Sequence, residues 1–113
     1  MKMNPEIKQR WVDALQSGQY KKEKGGLGLT NGEGFCCLGV LCNIHALETG
    51  NKWKNPKSPY YLHELASSFM PPQVKEWAGF PPNSHNIELK LAKMNDDENK
   101  SFKKIADWIE KNL

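Results

Sequence analysis

The sequence predicts an α+β fold in which a small antiparallel sheet packs with N-terminal, central and C-terminal helices. Three observations predict this class: apolar residues recur at helical spacing near both ends and in the middle of the chain, a glycine-rich segment separates two short apolar runs, and one later segment alternates apolar and charged residues. A length of 113 residues suits one domain. We therefore expect a single globular domain over residues 1–113.

The first predicted element is an N-terminal helix that begins at Asn4-Pro5 and ends at Gly18. Asparagine is a favoured helix cap, and proline is favoured in the first helical turn. Apolar residues then follow every four positions, at Ile7, Trp11 and Leu15. This spacing places them on one face of the helix, which we expect to be buried.

A β-hairpin is predicted next, because the fifteen residues from Tyr20 to Gly34 contain five glycines. The sequence 30–34 is a strong turn signal between the apolar runs 27–29 and 35–37. The block Gly34–Ile44 follows directly, is strongly apolar and contains all three cysteines. We expect this block to form the core.

The central helix is predicted from about Leu38 to Leu47, because its apolar residues fall at three-residue steps, and Thr49-Gly50 closes it. A short helix is predicted over 71–79, with prolines at its start and glycine at its end. The third strand of the sheet is predicted over Ile87–Leu91, where apolar residues alternate with Glu88 and Lys90. Ser101 is the predicted cap of an amphipathic C-terminal helix.

Composition excludes several classes of function. Sixteen basic and thirteen acidic residues give a net charge of +3, which is too small to indicate a DNA-binding protein without a basic stripe. Three cysteines in apolar sequence favour a reducing compartment over a disulfide framework. No segment resembles a signal peptide or a membrane span. We expect a cytoplasmic protein without a cofactor or a membrane role.

A candidate anion-binding site lies in the segment 20–28, which combines lysines with glycines. Glycine backbones can form an anion-binding nest, and lysine supplies a mobile positive charge. The predicted ligand-binding residues are Tyr20, Lys21, Lys22, Lys24, Gly25, Gly26 and Trp53. Tyr20 or Trp53 would stack on a base, and the lysines would bind phosphate. The alternative is a solvated hairpin arm whose nearby aromatic residues cover the core.

The cysteines support two further hypotheses. Cys37, Cys42 and His45 could supply three zinc ligands, although their spacing matches no closed zinc motif. Cys37 could instead be a nucleophile at a helix N-terminus, where the dipole lowers the pKa of a thiol. Simple packing of all three cysteines in the core is the default alternative. We therefore assign neither a metal site nor a catalytic residue.

Four motifs in this order resemble a family of small proteins encoded in tailed-phage and prophage genomes. They are residues 8–15, the Phe-Cys-Cys-Leu-Gly-Val-Leu-Cys block at 35–42, residues 74–79 and residues 101–109. The resemblance covers nearly the whole chain and implies a phage origin, but the family carries no agreed activity. Lys104 departs from its pattern, in which an acidic residue often completes a capping box with Ser101.

The expected function is that of a phage accessory protein, not an enzyme, which binds and sequesters a small anionic, nucleotide-type ligand such as a host immune signal in the host cytosol. It would act as a monomer or as a homo-oligomer. One alternative is an inhibitor that docks on a host protein through the aromatic residues Trp53, Tyr60, Tyr61 and Phe69. Another is a small cysteine-dependent hydrolase or zinc protein.

Overall fold

The computed structural model describes residues 3–22, 35–50, 53–55, 58–59, 72–81, 84–96, 98 and 100–113. Five helices build the described part of the fold: α1 (Pro5–Gln16), α2 (Cys37–Thr49), α3 (Pro72–Ala78), α4 (His85–Asp96) and α5 (Phe102–Asn112). Two short strands, β1 (Trp53–Asn55) and β2 (Ser58–Pro59), form an antiparallel pair. The fold is therefore organised by helix packing.

Helix α2 forms the centre of the domain and is packed by α1, α3 and α4. It is buried on most of its circumference, as expected for the most apolar block of the sequence. Its N-cap is Cys36, whose Sγ accepts a hydrogen bond from the Gly39 backbone N–H. It ends at Gly50, whose φ of +74° is the left-handed conformation that favours glycine.

Helices α1 and α5 pack against each other along one side of the domain. Asn4 caps α1, and the residues Ile7, Trp11 and Leu15 are buried, which confirms the predicted face. The indole Nε1 of Trp11 donates a hydrogen bond to the Cys37 carbonyl at 2.9 Å and so ties α1 to α2. Ser101 caps α5 as predicted, accepting from the Lys104 backbone N–H.

The prediction of an α+β fold is wrong, because the predicted sheet does not form. Residues Ile87–Leu91, predicted as its third strand, lie within helix α4. In the predicted hairpin, Cys37 begins helix α2, and Phe35 forms an isolated bridge with Lys22. The other predicted hairpin strand, 27–29, and its turn lie outside the described residues.

The physical reason for the error lies in which α4 residues are buried. Leu91, Met94 and Asn95 are buried together with Glu88, whose side chain is fully buried, whereas Leu89 is 45% exposed. Positions 88, 91, 94 and 95 form one helical face. Because Glu88 lies on the buried face and Leu89 faces solvent, apolar and charged residues alternate in the sequence of this helix, as they would in a strand.

Among the described residues, the five helices include none with both the length and the apolar character that crossing a membrane requires.

The N-terminus of α1 packs on the end of α3, where the Asn4 N–H donates to the Ala78 carbonyl at 2.8 Å. Gly79 allows this close approach, because a Cβ at that position would lie 2.8 Å from the Asn4 nitrogen.

Candidate ligand-binding groove

A groove of about 270 Å³ lies between the C-terminal end of α4 and helix α5. We call it the α4–α5 groove and define it by its lining residues: Met94, Lys100, Lys104, Asp107, Trp108, Lys111 and Asn112. It combines three lysines with a tryptophan and a methionine. Ligand sites commonly pair apolar surface with a few polar groups in this way.

The amphipathic character of α5 positions most of this groove. Its apolar residues Phe102, Ile105, Ala106 and Ile109 are buried against the rest of the domain. Lys104, Trp108 and Lys111 follow at intervals of four and three residues, so they share a face away from the buried one, with Trp108 at its edge. Along the axis of α5, Trp108 therefore lies between Lys104 and Lys111.

The apolar part of the groove is fixed in place. Met94 is buried in the core, and the half-buried Trp108 packs against the core cluster. The Met94 carbonyl accepts a hydrogen bond from the Lys100 backbone N–H at 2.8 Å, which holds the connection from α4 to α5. At the other end, Asn112 Nδ2 donates to the Trp108 carbonyl at 2.8 Å.

The charges of the groove are exposed to solvent. Lys104 and Lys111 are exposed, and Lys100 forms a long ion pair with Glu98 at 3.9 Å. In the described part of the chain, no ion pair joins Asp107 to Lys104 or to Lys111. The surface of the groove is mainly apolar, and its lysines carry their charge at its solvent-exposed margin. An ammonium group can bind a phosphate or carboxylate, and an indole can contact a flat ring.

The sequence-predicted binding residues occupy a different place. Asn43 Nδ2 donates to the Tyr20 hydroxyl at 2.8 Å, and the Tyr20 ring contacts Phe35 edge-on. Lys21 has an exposed side chain, and its carbonyl accepts from the Phe35 N–H. Lys22 Nζ donates to the Asn95 carbonyl at 2.8 Å. These contacts hold the ends of the predicted hairpin against α2 and α4.

The remaining predicted binding residues are placed only in part. Lys24, Gly25 and Gly26 lie outside the described residues, and Trp53 is described by its backbone alone, in β1. Tyr60, Tyr61 and Phe69, predicted as a protein-docking surface, also lie outside them. The predicted residues that are described with side chains, Tyr20 to Lys22, do not line the α4–α5 groove.

Sequence reasoning missed the groove, although one signal was present. Trp108 and its flanking lysines have helical spacing on the predicted C-terminal helix, and a large aromatic residue beside its apolar face indicates a surface that a ligand could use. The contribution of Met94 could not be found in this way, since it depends on how α4 packs against α5.

All three cysteines are buried. Cys36 caps α2, and the Cys37 thiol lies within 3.6 Å of the Leu91 carbonyl, to which it donates. Burial raises the pKa of the Cys42 thiol well above its usual value, and the neighbouring Cys36 and Glu88 raise it further. Burial lowers the pKa of His45. Within the described ranges, no three His, Cys, Asp or Glu side chains could together hold a metal ion.

A second polar arrangement lies inside the domain, between α3 and α4. Lys75 Nζ lies 2.7 Å from Glu88 Oε2, and the Ser84 hydroxyl donates to the same oxygen at 3.4 Å. The Glu88 side chain is fully buried and the Lys75 side chain is 20% exposed. This arrangement satisfies a buried charge and faces no described groove.

The described residues form a small helical domain with a groove that lysines and a tryptophan line. The chain belongs to the family described as domain of unknown function DUF8296, whose model matches residues 3–113. No curated protein matches the chain. No solved structure matches it either.

Proposed function

We propose that this protein binds and sequesters a small anionic, nucleotide-type ligand in the α4–α5 groove and is not an enzyme. The proposal includes a phage origin, as the family resemblance in the sequence implies, and a role as an accessory protein that captures a host immune signal in the host cytosol. The ligand class follows the expectation from the sequence. The site is different, because the structure brings together a set of residues that the sequence did not indicate.

One observation carries the proposal: three lysines and Trp108 line the same groove, whose surface is mainly apolar. A nucleotide presents a phosphate that suits ammonium groups and a flat base that suits an indole ring. The volume of about 270 Å³ suits a single small ligand more than a long polymer. Electrostatic attraction to three lysines also favours an anion over a neutral ligand.

The cysteine-dependent alternative receives no support from the described residues. A nucleophilic cysteine acts as its thiolate, whereas the raised pKa of Cys42 favours the protonated thiol. Cys36 and Cys37 are buried and engaged with backbone groups. These contacts favour packing and helix capping as the role of the cysteines.

Isothermal titration calorimetry at low ionic strength tests the proposal. The probes are AMP, GMP, CMP, UMP and inorganic phosphate, each titrated into the wild-type protein and into Lys104→Ala and Lys111→Ala. Lys103→Ala is the matched control, because Lys103 is exposed on the same helix but does not line the groove. All three variants remove one positive charge from α5.

We expect at least one nucleotide to bind more tightly than inorganic phosphate, because the base adds its contact with Trp108. Lys104→Ala and Lys111→Ala should each weaken that binding by about tenfold, the effect of losing about 1.4 kcal/mol. Lys103→Ala should change it by less than about twofold. The absence of nucleotide binding, or equal losses in all three variants, would contradict the proposal.

A further inference from the structure

Besides its lysines, the α4–α5 groove contains hydrogen-bond acceptors. Asp107 and Asn112 are among its lining residues, and Asn112 Nδ2 donates to the Trp108 carbonyl. A carboxylate beside an anion site weakens anion binding, because like charges repel. Its presence calls for a ligand that carries hydrogen-bond donors as well as negative charge.

The position of Asp107 on α5 places it between the two groove lysines of that helix. At a rise of about 1.5 Å per residue, Asp107 lies about 4.5 Å along the axis from Lys104 and about 6 Å from Lys111. It directly precedes Trp108 in the chain. A base stacked on the indole would have a lysine on either side along the helix axis and would come within reach of the neighbouring Asp107.

The Watson–Crick edges of the bases differ in what they offer a carboxylate. Guanine presents two adjacent donors, N1–H and the 2-amino group, which match the two oxygens of one carboxylate. Adenine and cytosine each present one amino group beside a ring nitrogen that is itself an acceptor. Uracil presents one N–H between two carbonyls. Guanine is thus the base that an ionised carboxylate suits best.

We propose that the α4–α5 groove selects guanine nucleotides, with Asp107 accepting from guanine N1–H and the 2-amino group. Trp108 contacts the face of the base, and the lysines bind the phosphate. This inference rests on the proposed function and adds the ligand specificity. The competing account is that Asp107 is a solvated surface charge that moderates the lysines and has no part in recognition.

Calorimetric titrations with GMP, IMP, AMP and XMP test the specificity. IMP is GMP without the 2-amino group, and XMP replaces that group with a carbonyl oxygen. Each is titrated into the wild-type protein and Asp107→Asn. Glu110→Gln is the matched control, since it removes one negative charge from an exposed position of α5 outside the groove lining. Circular dichroism confirms that each variant keeps its helices.

In the wild-type protein, GMP should bind about tenfold more tightly than IMP and AMP, because a site that bonds to an N–H rejects the analogue that lacks it. Asp107→Asn should weaken GMP binding about tenfold and strengthen XMP binding, since the amide can accept from N1–H and donate to the new carbonyl. AMP binding should rise slightly as the repulsive charge is lost. Glu110→Gln should leave the order GMP, IMP, AMP unchanged.

Equal affinity for GMP and AMP, or tighter GMP binding by Asp107→Asn, would overturn the guanine preference. If the losses in Lys104→Ala and Lys111→Ala still occurred, the proposed function would stand without this specificity. If no nucleotide bound to the wild-type protein, both would fail. The two sets of titrations therefore separate the failure of the specificity from the failure of the function.

Discussion

Lysines serve opposite purposes in the interior between α3 and α4 and in the α4–α5 groove. Lys75 lies against the fully buried carboxylate of Glu88, so its charge is matched within the protein. Lys104 and Lys111 extend from α5 into solvent beside Trp108. The first arrangement satisfies a charge inside the fold, and the second, in the proposed function, presents charge to a ligand. A lysine in a sequence therefore indicates binding only once its partners are known.

The largest expected effect is a loss of stability when the interior ion pair between Lys75 and Glu88 is broken. Lys75→Ala removes the ammonium group that lies against the buried carboxylate of Glu88, so we expect the free energy of unfolding to fall by about 3–5 kcal/mol. Urea denaturation followed by circular dichroism measures this loss. Lys104→Ala, an identical change in the groove, should alter stability by less than about 0.5 kcal/mol.

The double variant Lys75→Met with Glu88→Gln separates the ion pair from the packing of its side chains. Because it removes both charges together, it should recover most of the stability that Lys75→Ala loses. A double variant as unstable as the single one would show that the loss comes from packing. In that case the charge comparison between interior and groove would not hold.

A smaller effect is expected at Lys22, which the sequence predicted to bind ligand. Its ammonium donates to the Asn95 carbonyl at the C-terminal end of α4, where a positive charge is favourable. Lys22→Met should lower the free energy of unfolding by about 1 kcal/mol and leave nucleotide affinity within about twofold. A large loss of affinity with unchanged stability would return the binding site to the segment that the sequence indicated.

The smallest effect is the pH dependence that His45 contributes. Burial beside Trp77 lowers its pKa in the folded protein below the ordinary value of 6.5. As the pH falls, His45 therefore takes up a proton in the unfolded chain before it does so in the folded protein. The free energy of unfolding consequently declines from about pH 6.5 down to the pKa of His45 in the folded protein. Urea denaturation at about pH 7.5 and about pH 5 should show a smaller difference for His45→Gln than for the wild-type protein. If the stability of His45→Gln and of the wild-type protein changed equally between the two pH values, His45 would not contribute to the pH dependence.

The sequence predicted the helices whose ends and faces carry local signals. Asn4 and Ser101 cap α1 and α5, and each helix buries the face that its periodicity indicates. Gly50 ends α2 as predicted. These features could be predicted because each depends on residues that are close in the chain.

The features that the sequence could not reveal depend on distant contacts. Glu88 is buried in α4 because Lys75, thirteen positions earlier, supplies its counter-charge, and this reversed the apparent polarity of the helix. The hydrogen bond from Lys22 Nζ to the Asn95 carbonyl could not be predicted either, because the two residues are 73 positions apart. The groove likewise requires Met94 of α4 beside Trp108 of α5. Local pattern cannot supply these pairings.

The most direct test of the central claim is a two-dimensional amide-correlation NMR spectrum recorded during a titration with GMP. We predict that the largest shifts occur at the backbone amides of Lys100, Lys104 and Lys111 and at the indole N–H of Trp108, while the amides of Tyr20 to Lys22 move little. Shifts concentrated at Tyr20 to Lys22, or no shifts at all, would contradict the assignment of ligand binding to the α4–α5 groove.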